Sequence, residues 1–472
     1  MLLDDESEST NSFHDDMIRV IDRLPREEEY RRVRHLLLHR PEITITDEQL
    51  AEIIPFCPHL ESVVLTGVPE TTDRTIVVLA EKAINLVGLN LSGCAQITDV
   101  GVLELTNKSL PLQWVQLNGV VGLTDPSISA IAKSCSRLLE LEVCDLPLLT
   151  PVAVRDIWSF SRKLRTFRLA NNPLLTDKAF PSALAEGLAE TEEDKPLPHR
   201  PTTWLEQLPP LILRHSADNL RALDLSHCKV TDDAVEGIVN HAPRIQTFIL
   251  SGCSLLTDRA LASISKLRDH LDVLMVAHVS NITDRGLVNL ARVWTWHTKD
   301  ETDSSIEVCR NLTDLSVFEL ASLPSLRRLS LVRVHKLTDI GIFSLAEHAV
   351  GLERLHLSYC DNLSLDAMHL LLRKLEHLQH LTATGIPSFR RKGVSRFSEP
   401  TPPVTYRVNV LVFSAAPIQN FDPDQQAAFC VFTGENVARL RRFLDKEDKR
   451  RREAEARNIP FVMRSDDRMD LY

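Results

Sequence analysis

The sequence predicts a right-handed α/β solenoid, with parallel strands on its inner wall and helices on its outer wall. Two observations carry this. The first is a period: Leu60, Leu86, Leu112, Leu138 and Leu164 open successive units spaced by 26, Leu220, Ile245 and Leu271 follow at 25 and 26, and Leu326, Leu352 and Leu378 again at 26. A unit this short cannot bury its own apolar face, so it stacks on copies of itself. The second is the punctuation within each unit: an apolar strand pattern, a short turn, then Leu/Ile-Thr-Asp and an amphipathic stretch.

One unit shows the logic. Leu86, Leu89 and Leu91 point inward, while Gly88, Asn90 and Ser92 point outward along a short strand of period two. Ile97 is expected to be buried. Asp99 is read as the N-cap of the next helix, a contribution of roughly 1 kcal/mol. Val102, Leu103 and Leu105 supply that helix's apolar face. Thr-Asp recurs at 46, 72, 124, 176, 231, 257, 283, 313 and 338, with Thr150-Pro151 and Ser364 as the departures. Stacked in order, the units predict a horseshoe whose hollow grips another protein.

Organisation follows from where the period holds. Residues 1–32 form an N-terminal segment and 33–397 the solenoid, with loop insertions near 181–216 and 294–305. The first insertion is charged and Pro-rich (Glu190 to Pro201), the composition of a loop rather than a coil. In the second the strand pattern lapses until Ile306. Residues 398–445 are read as an irregular insert, with a strand pattern at 409–413, followed by a C-terminal cap. Residues 446–472 are a charged tail, read as a solvated helix, with Lys449–Arg452 as a candidate nuclear-import signal.

Composition narrows the function. The net charge of −11 disfavours binding to nucleic acid, whose phosphates call for a basic surface. No apolar stretch approaches the roughly 18–20 residues of a membrane span, and the polar, acidic start is unlike a signal peptide. Five of the nine cysteines (Cys94, Cys228, Cys253, Cys309 and Cys360) share one place in the unit. They lack the tight C-x-x-C pairs of zinc sites and are read as small buried hydrophobes. Free buried thiols point to a reducing, cytoplasmic or nuclear, location. There is no phosphate-cradling Gly-rich loop, H-E-x-x-H or G-x-S-x-G, and the histidines are scattered, so neither an enzyme nor a cofactor or metal site is expected.

The Leu-x-x-Leu-x-Leu-x-x-Cys-x-x-Leu-Thr-Asp unit resembles the cysteine-containing leucine-rich repeat of F-box proteins. Within that class the chain resembles the fungal F-box/LRR substrate receptors of glucose repression and G1-cyclin turnover. The residues that carry this are Ala132–Cys135, Val154–Trp158, Leu326–Val334, Leu355–Cys360 and the end signature Ala428–Gly434. The resemblance implies a substrate receptor of an SCF ubiquitin ligase, in which an F-box binds Skp1 and the repeats capture a phosphorylated target. Leu24-Pro25 is followed by Arg26-Glu27-Glu28-Glu29-Tyr30-Arg31-Arg32, too charged for F-box helices. The F-box is therefore expected to be missing, and the Skp1/cullin core is a partner only if one is supplied upstream. The alternative is an F-box-less interaction or inhibitor protein.

The repeat register also lists the side chains that face a target. Most coils offer neutral groups, and one is acidic (Glu140, Glu142, Asp145). The late coils are basic: Arg328, Arg333, Arg354, His356 and His380, with Tyr359 alongside. Strands about 4.8 Å apart let such groups converge on one phosphate. Arg168 is a further basic candidate and Trp114 a candidate peptide anchor.

Overall fold

The computed structural model describes residues 20–39, 44–183, 208–295, 304–307, 310–400 and 430–464. The strand pattern at 409–413, Cys309 and most of the 181–216 insertion lie outside these residues. So do Ala428 and Phe429 of the end signature. The chain divides into two compact units, 1–256 and 257–472.

In the first unit nine strands pair in parallel in sequence order: β1 (Val20–Ile21), β2 (His35–His39), β3 (Ser62–Thr66), β4 (Gly88–Asn90), β5 (Trp114–Gln116), β6 (Glu140–Glu142), β7 (Thr166–Arg168), β8 (Ala222–Asp224) and β9 (Thr247–Ile249). Among the described residues the stack thus begins at Val20, ahead of the first unit legible in the sequence. In the second unit β10 (Val273–Met275), β11 (Ser304–Glu307), β12 (Leu326–Ser330), β13 (Arg354–His356) and β14 (His380–Thr382) are parallel in order, and β15 (Val431–Thr433) closes them antiparallel. The coil near 294–305 does contribute a strand, with a register shift at Ser304/Ser305 and Ile306 buried.

Strands β3 to β14 carry a buried apolar residue at one shared register position: Val63, Leu89, Val115, Leu141, Phe167, Leu223 and Phe248 in one unit, and Leu274, Ile306, Leu329, Leu355 and Leu381 in the other. Their neighbours on either side face the opposite way, as the pleat requires. Helices such as Asp99–Asn107, Asp125–Ser134, Asp314–Ala321 and Asp339–His348 return the chain from each strand to the next. This is a leucine-rich-repeat solenoid. No helix among the described residues is long and apolar enough to cross a membrane.

The Thr-Asp signal does different work from the one its sequence suggests. Thr, not Asp, is the N-cap: Thr98 Oγ accepts from Val100 N, and Thr231, Thr257, Thr313 and Thr338 act alike. The Asp carboxylate instead accepts from the next coil. Asp73 takes the Thr98 N–H at 2.8 Å and its hydroxyl at 2.5 Å. Asp99–Thr124, Asp125–Thr150, Asp258–Thr283 and Asp314–Thr338 repeat the rung. Pro151 has no carboxylate to offer, and the Thr176 hydroxyl makes no cap bond. The turn it opens is a single 3-10 turn, Asp177–Ala179, rather than a helix.

The cysteines do similar work. Cys94, Cys228, Cys253 and Cys360 each point Sγ at a leucine carbonyl of the preceding coil (Leu65, Leu169, Leu225 and Leu331) at 3.0–3.2 Å. Burial pushes these thiols up, to about 11 for Cys94 and Cys228 and about 12 for Cys253 and Cys360, so they stay protonated and able to donate. Asn172 takes the same place, its amide donating to Val143 O and Leu169 O, both at 2.8 Å.

Beyond β15 a helix runs from Glu435 to Ala456, straight through the 445/446 boundary drawn from composition. Val437, Leu440, Phe443 and Leu444 are buried. Arg441 donates to the carbonyls of Leu372 and Leu375 at the end of the helix Leu365–Lys374. The charged stretch is engaged: Arg450 pairs with Glu447 at 2.8 Å, Arg451 with Asp366 at 2.9 Å and Arg452 with Asp448 at 2.8 Å.

Candidate protein-binding surface

The strand register in the second unit brings three of the basic residues together. Arg328 pairs across from Arg354, and Arg354 from His380, on three adjacent strands. Ser305 precedes them and Thr433 follows. Each is followed by a buried leucine (Leu329, Leu355, Leu381), so all three side chains leave the sheet on the same face. Arg328 and Arg354 are exposed, and neither side chain has a carboxylate partner among the described residues. Two neighbouring guanidinium groups without counter-charge are a standing electrostatic cost that an anion relieves.

His356 lies two residues further along β13, beside Ser330 and Thr382, with Nε2 2.8 Å from Ser358 Oγ. Burial, and then His380, hold its imidazole below the usual histidine range. His380 is held down by burial and by Arg354, against the opposing pull of Glu399. Both rings are therefore neutral at pH 7. The sequence reading counted them as basic, and the structure corrects that. The positive charge of the row comes from Arg328 and Arg354, and the histidines offer neutral hydrogen-bonding groups. Glu399 stands at the end of the row, accepting from Thr433 Oγ1 and from Asn436 Nδ2 at 2.9 Å; these bonds hold its carboxyl below the ordinary range.

Arg333 and Tyr359 do not lie on the strands. They sit one turn later with φ of 59° and 60°, a left-handed position filled elsewhere by Gly67, Gly93, Gly119, Gly252 and Gly385. Holding bulky residues there costs on the order of 1 kcal/mol each. The Arg333 and Tyr359 N–H groups reach Ser358 O and Thr384 O of the next coil, which pins the turn. The Arg333 guanidinium lies 5.2 Å from the Tyr359 ring centroid, and that ring lies over Gly385, where a Cβ would come within 2.5 Å of it.

The other two candidates belong to the first unit. Arg168 is paired with Glu142 at 3.2 Å, and Glu142 also accepts from Asn118 at 2.8 Å, so its charge is compensated within the fold. Trp114 is half-buried on β5, between Gly88 and Glu140. No group of three or more His, Cys, Asp or Glu side chains able to hold a metal occurs among the described residues.

Comparison with known proteins agrees with the fold. The family described as Leucine Rich repeat matches residues 83–105 and 218–239. The SCF E3 ubiquitin ligase complex F-box protein pof2 of Schizosaccharomyces pombe is 32% identical over 126 residues, 26% of this chain. The match spans 24% of that relative's length. A chain from the crystal structure of the yeast Rad7 and Elc1 complex superposes with a TM-score of 0.52 at 17% identity, covering 81% of this chain and 83% of that one. The last likeness is one of fold.

Proposed function

We propose that this protein is the substrate-recognition component of an SCF-type ubiquitin ligase and captures phosphorylated protein targets on the strand face of its repeats. The observation that carries the binding mode is the in-register row Arg328, Arg354 and His380. A phosphate dianion placed over it meets two guanidinium forks and a neutral imidazole. Each charge-assisted hydrogen bond is worth roughly 1.5–3 kcal/mol. The partial likeness to an SCF F-box protein supports the ligase assignment. The protein works as an adaptor, without cofactor, in the cytoplasm or nucleus.

Two experiments test the parts separately. A phosphoserine/phosphothreonine peptide library presented to the purified protein should yield binders that are lost on phosphatase treatment and weaken as salt rises. Equal retention of dephosphorylated peptides sinks the phosphate reading. Co-purification with Skp1 tests ligase attachment; failure of Skp1 to associate with the full-length chain favours the interaction or inhibitor protein that lacks direct attachment.

A further inference from the structure

Trp114 occupies an unusual seat. Its strand partner on one side is Gly88, the position that carries a side chain on every other strand from β3 onward. A Cβ at Gly88 would lie 1.9 Å from Trp114 Cε2 and 2.0 Å from Cζ2. The indole therefore lies across the backbone of β4, and the residue stays only half-buried. A glycine here is what permits that pose.

On the other side stands Glu140, in register with Trp114 on β6. Glu140 is exposed, and its side chain makes no hydrogen bond or ion pair among the described residues. Its neighbours differ. Glu142 is neutralised by Arg168, and Asp145 accepts from Asn171. So an uncompensated carboxylate is carried by the strand next to that of Trp114, with about 4.8 Å between the two backbones, while the indole leans to the other side, over β4.

We propose that Trp114 and Glu140 form a docking corner for an arginine side chain of a partner protein. A guanidinium is planar and weakly hydrated, so it stacks on the indole face while its N–H fork reaches the carboxylate. A lysine ammonium gains the attraction to the ring but not the combined stack and fork. An apolar side chain would leave Glu140 uncompensated. This inference does not rest on the phosphate reading, which concerns other residues in the other unit.

The test uses the full chain labelled with 15N-tryptophan, the Trp114 indole resonance being assigned with Trp114→Phe. N-acetyl-arginine amide is titrated against its isosteric, uncharged citrulline counterpart. The arginine probe should shift the Trp114 signal alone among the indoles, and citrulline should bind about fivefold more weakly, the ratio expected for one exposed cation–π and ion-pair contact. Glu140→Gln should narrow the difference between the probes to the share left by the ring–cation contact. Gly88→Ala, which lifts the ring without touching charge, should weaken arginine while the other indole signals report an intact fold. Equal shifts from both probes, or no Trp114 shift at ~200 mM arginine probe, overturn the proposal.

Discussion

Replacing Asp284 by alanine removes one of the most heavily used rungs of the Thr-Asp ladder. The Asp284 carboxylate accepts the Thr313 N–H at 2.9 Å, the Thr313 hydroxyl at 2.8 Å and the hydroxyl of Ser316, which is fully buried. Burial alone would raise this carboxyl, yet the bonds from Ser316 and Thr313 outweigh it and hold it below the ordinary aspartate value. Stranding three donors at roughly 1–3 kcal/mol each, with part of the loss recovered by water at the half-buried Thr313, gives about 3–5 kcal/mol. In a solenoid the damage should stay local. Hydrogen exchange should therefore rise first in the helices Asp284–Thr295 and Asp314–Ala321, with a drop in the denaturation midpoint. Asp284→Asn keeps an acceptor for the N–H and for Ser316, and should cost about 1 kcal/mol at neutral pH. The sign with pH follows from the lowered carboxyl. The rung is fully present above the ordinary aspartate range, near 3.9, and is lost as pH falls through the lower folded value. The asparagine variant should show no such acid step. An alanine variant within 0.5 kcal/mol of wild type (well under the ~3 kcal/mol expected) would refute the ladder as a stabilising device.

Other outcomes follow from the same geometry. Asp125 is pushed up by burial despite its bonds to Thr150. Its ionised form is thus disfavoured in the folded state, and acid should leave this rung's coil less affected than that of Asp284. His356 is pushed down, so the folded state binds fewer protons than the unfolded one. Stability should decline as pH falls below about 6.5, and His356→Gln should flatten that decline in pH-dependent urea melts. Cys94, Cys228, Cys253 and Cys360, buried and held as thiols, should resist iodoacetamide in the native protein and react at the unfolding midpoint, read by mass spectrometry. Leu440→Ala and Phe443→Ala should each destabilise the C-terminal cap by about 2–5 kcal/mol, seen as protease sensitivity confined to the last coils.

How much of this was legible depends on the range of the interaction. The period of 26 and the alternation along each strand are local patterns, and they place Leu89, Leu141, Leu223 and Leu355 in the core and Arg328, Arg354 and His380 on one face. The role of Asp in Thr-Asp was misread because its hydrogen-bond partner lies a whole coil away, beyond any helix-capping rule. The same holds for the cysteine thiols, whose acceptors are carbonyls of the preceding coil. Histidine charge was misjudged because burial and a neighbouring arginine, not residue type, set it. Arg168 looked available until its pairing with Glu142 appeared. The seat of Trp114 carried a signal that went unused: a glycine at the matching position 26 residues earlier. Composition put a boundary at 445/446, yet the helix Glu435–Ala456 runs through it and Arg451 pairs back to Asp366, while Arg450 and Arg452 pair along their own helix.

The most direct test of the account compares the wild-type protein with Arg328→Glu/Arg354→Glu for binding of the tightest phosphopeptide selected by the wild type, by calorimetry at two salt concentrations. Loss of at least one bidentate contact predicts a fall of tenfold or more, roughly 1.4 kcal/mol, with the salt dependence largely gone. Unchanged affinity in the folded double variant would contradict the claim that this row of the repeat face holds the phosphorylated target.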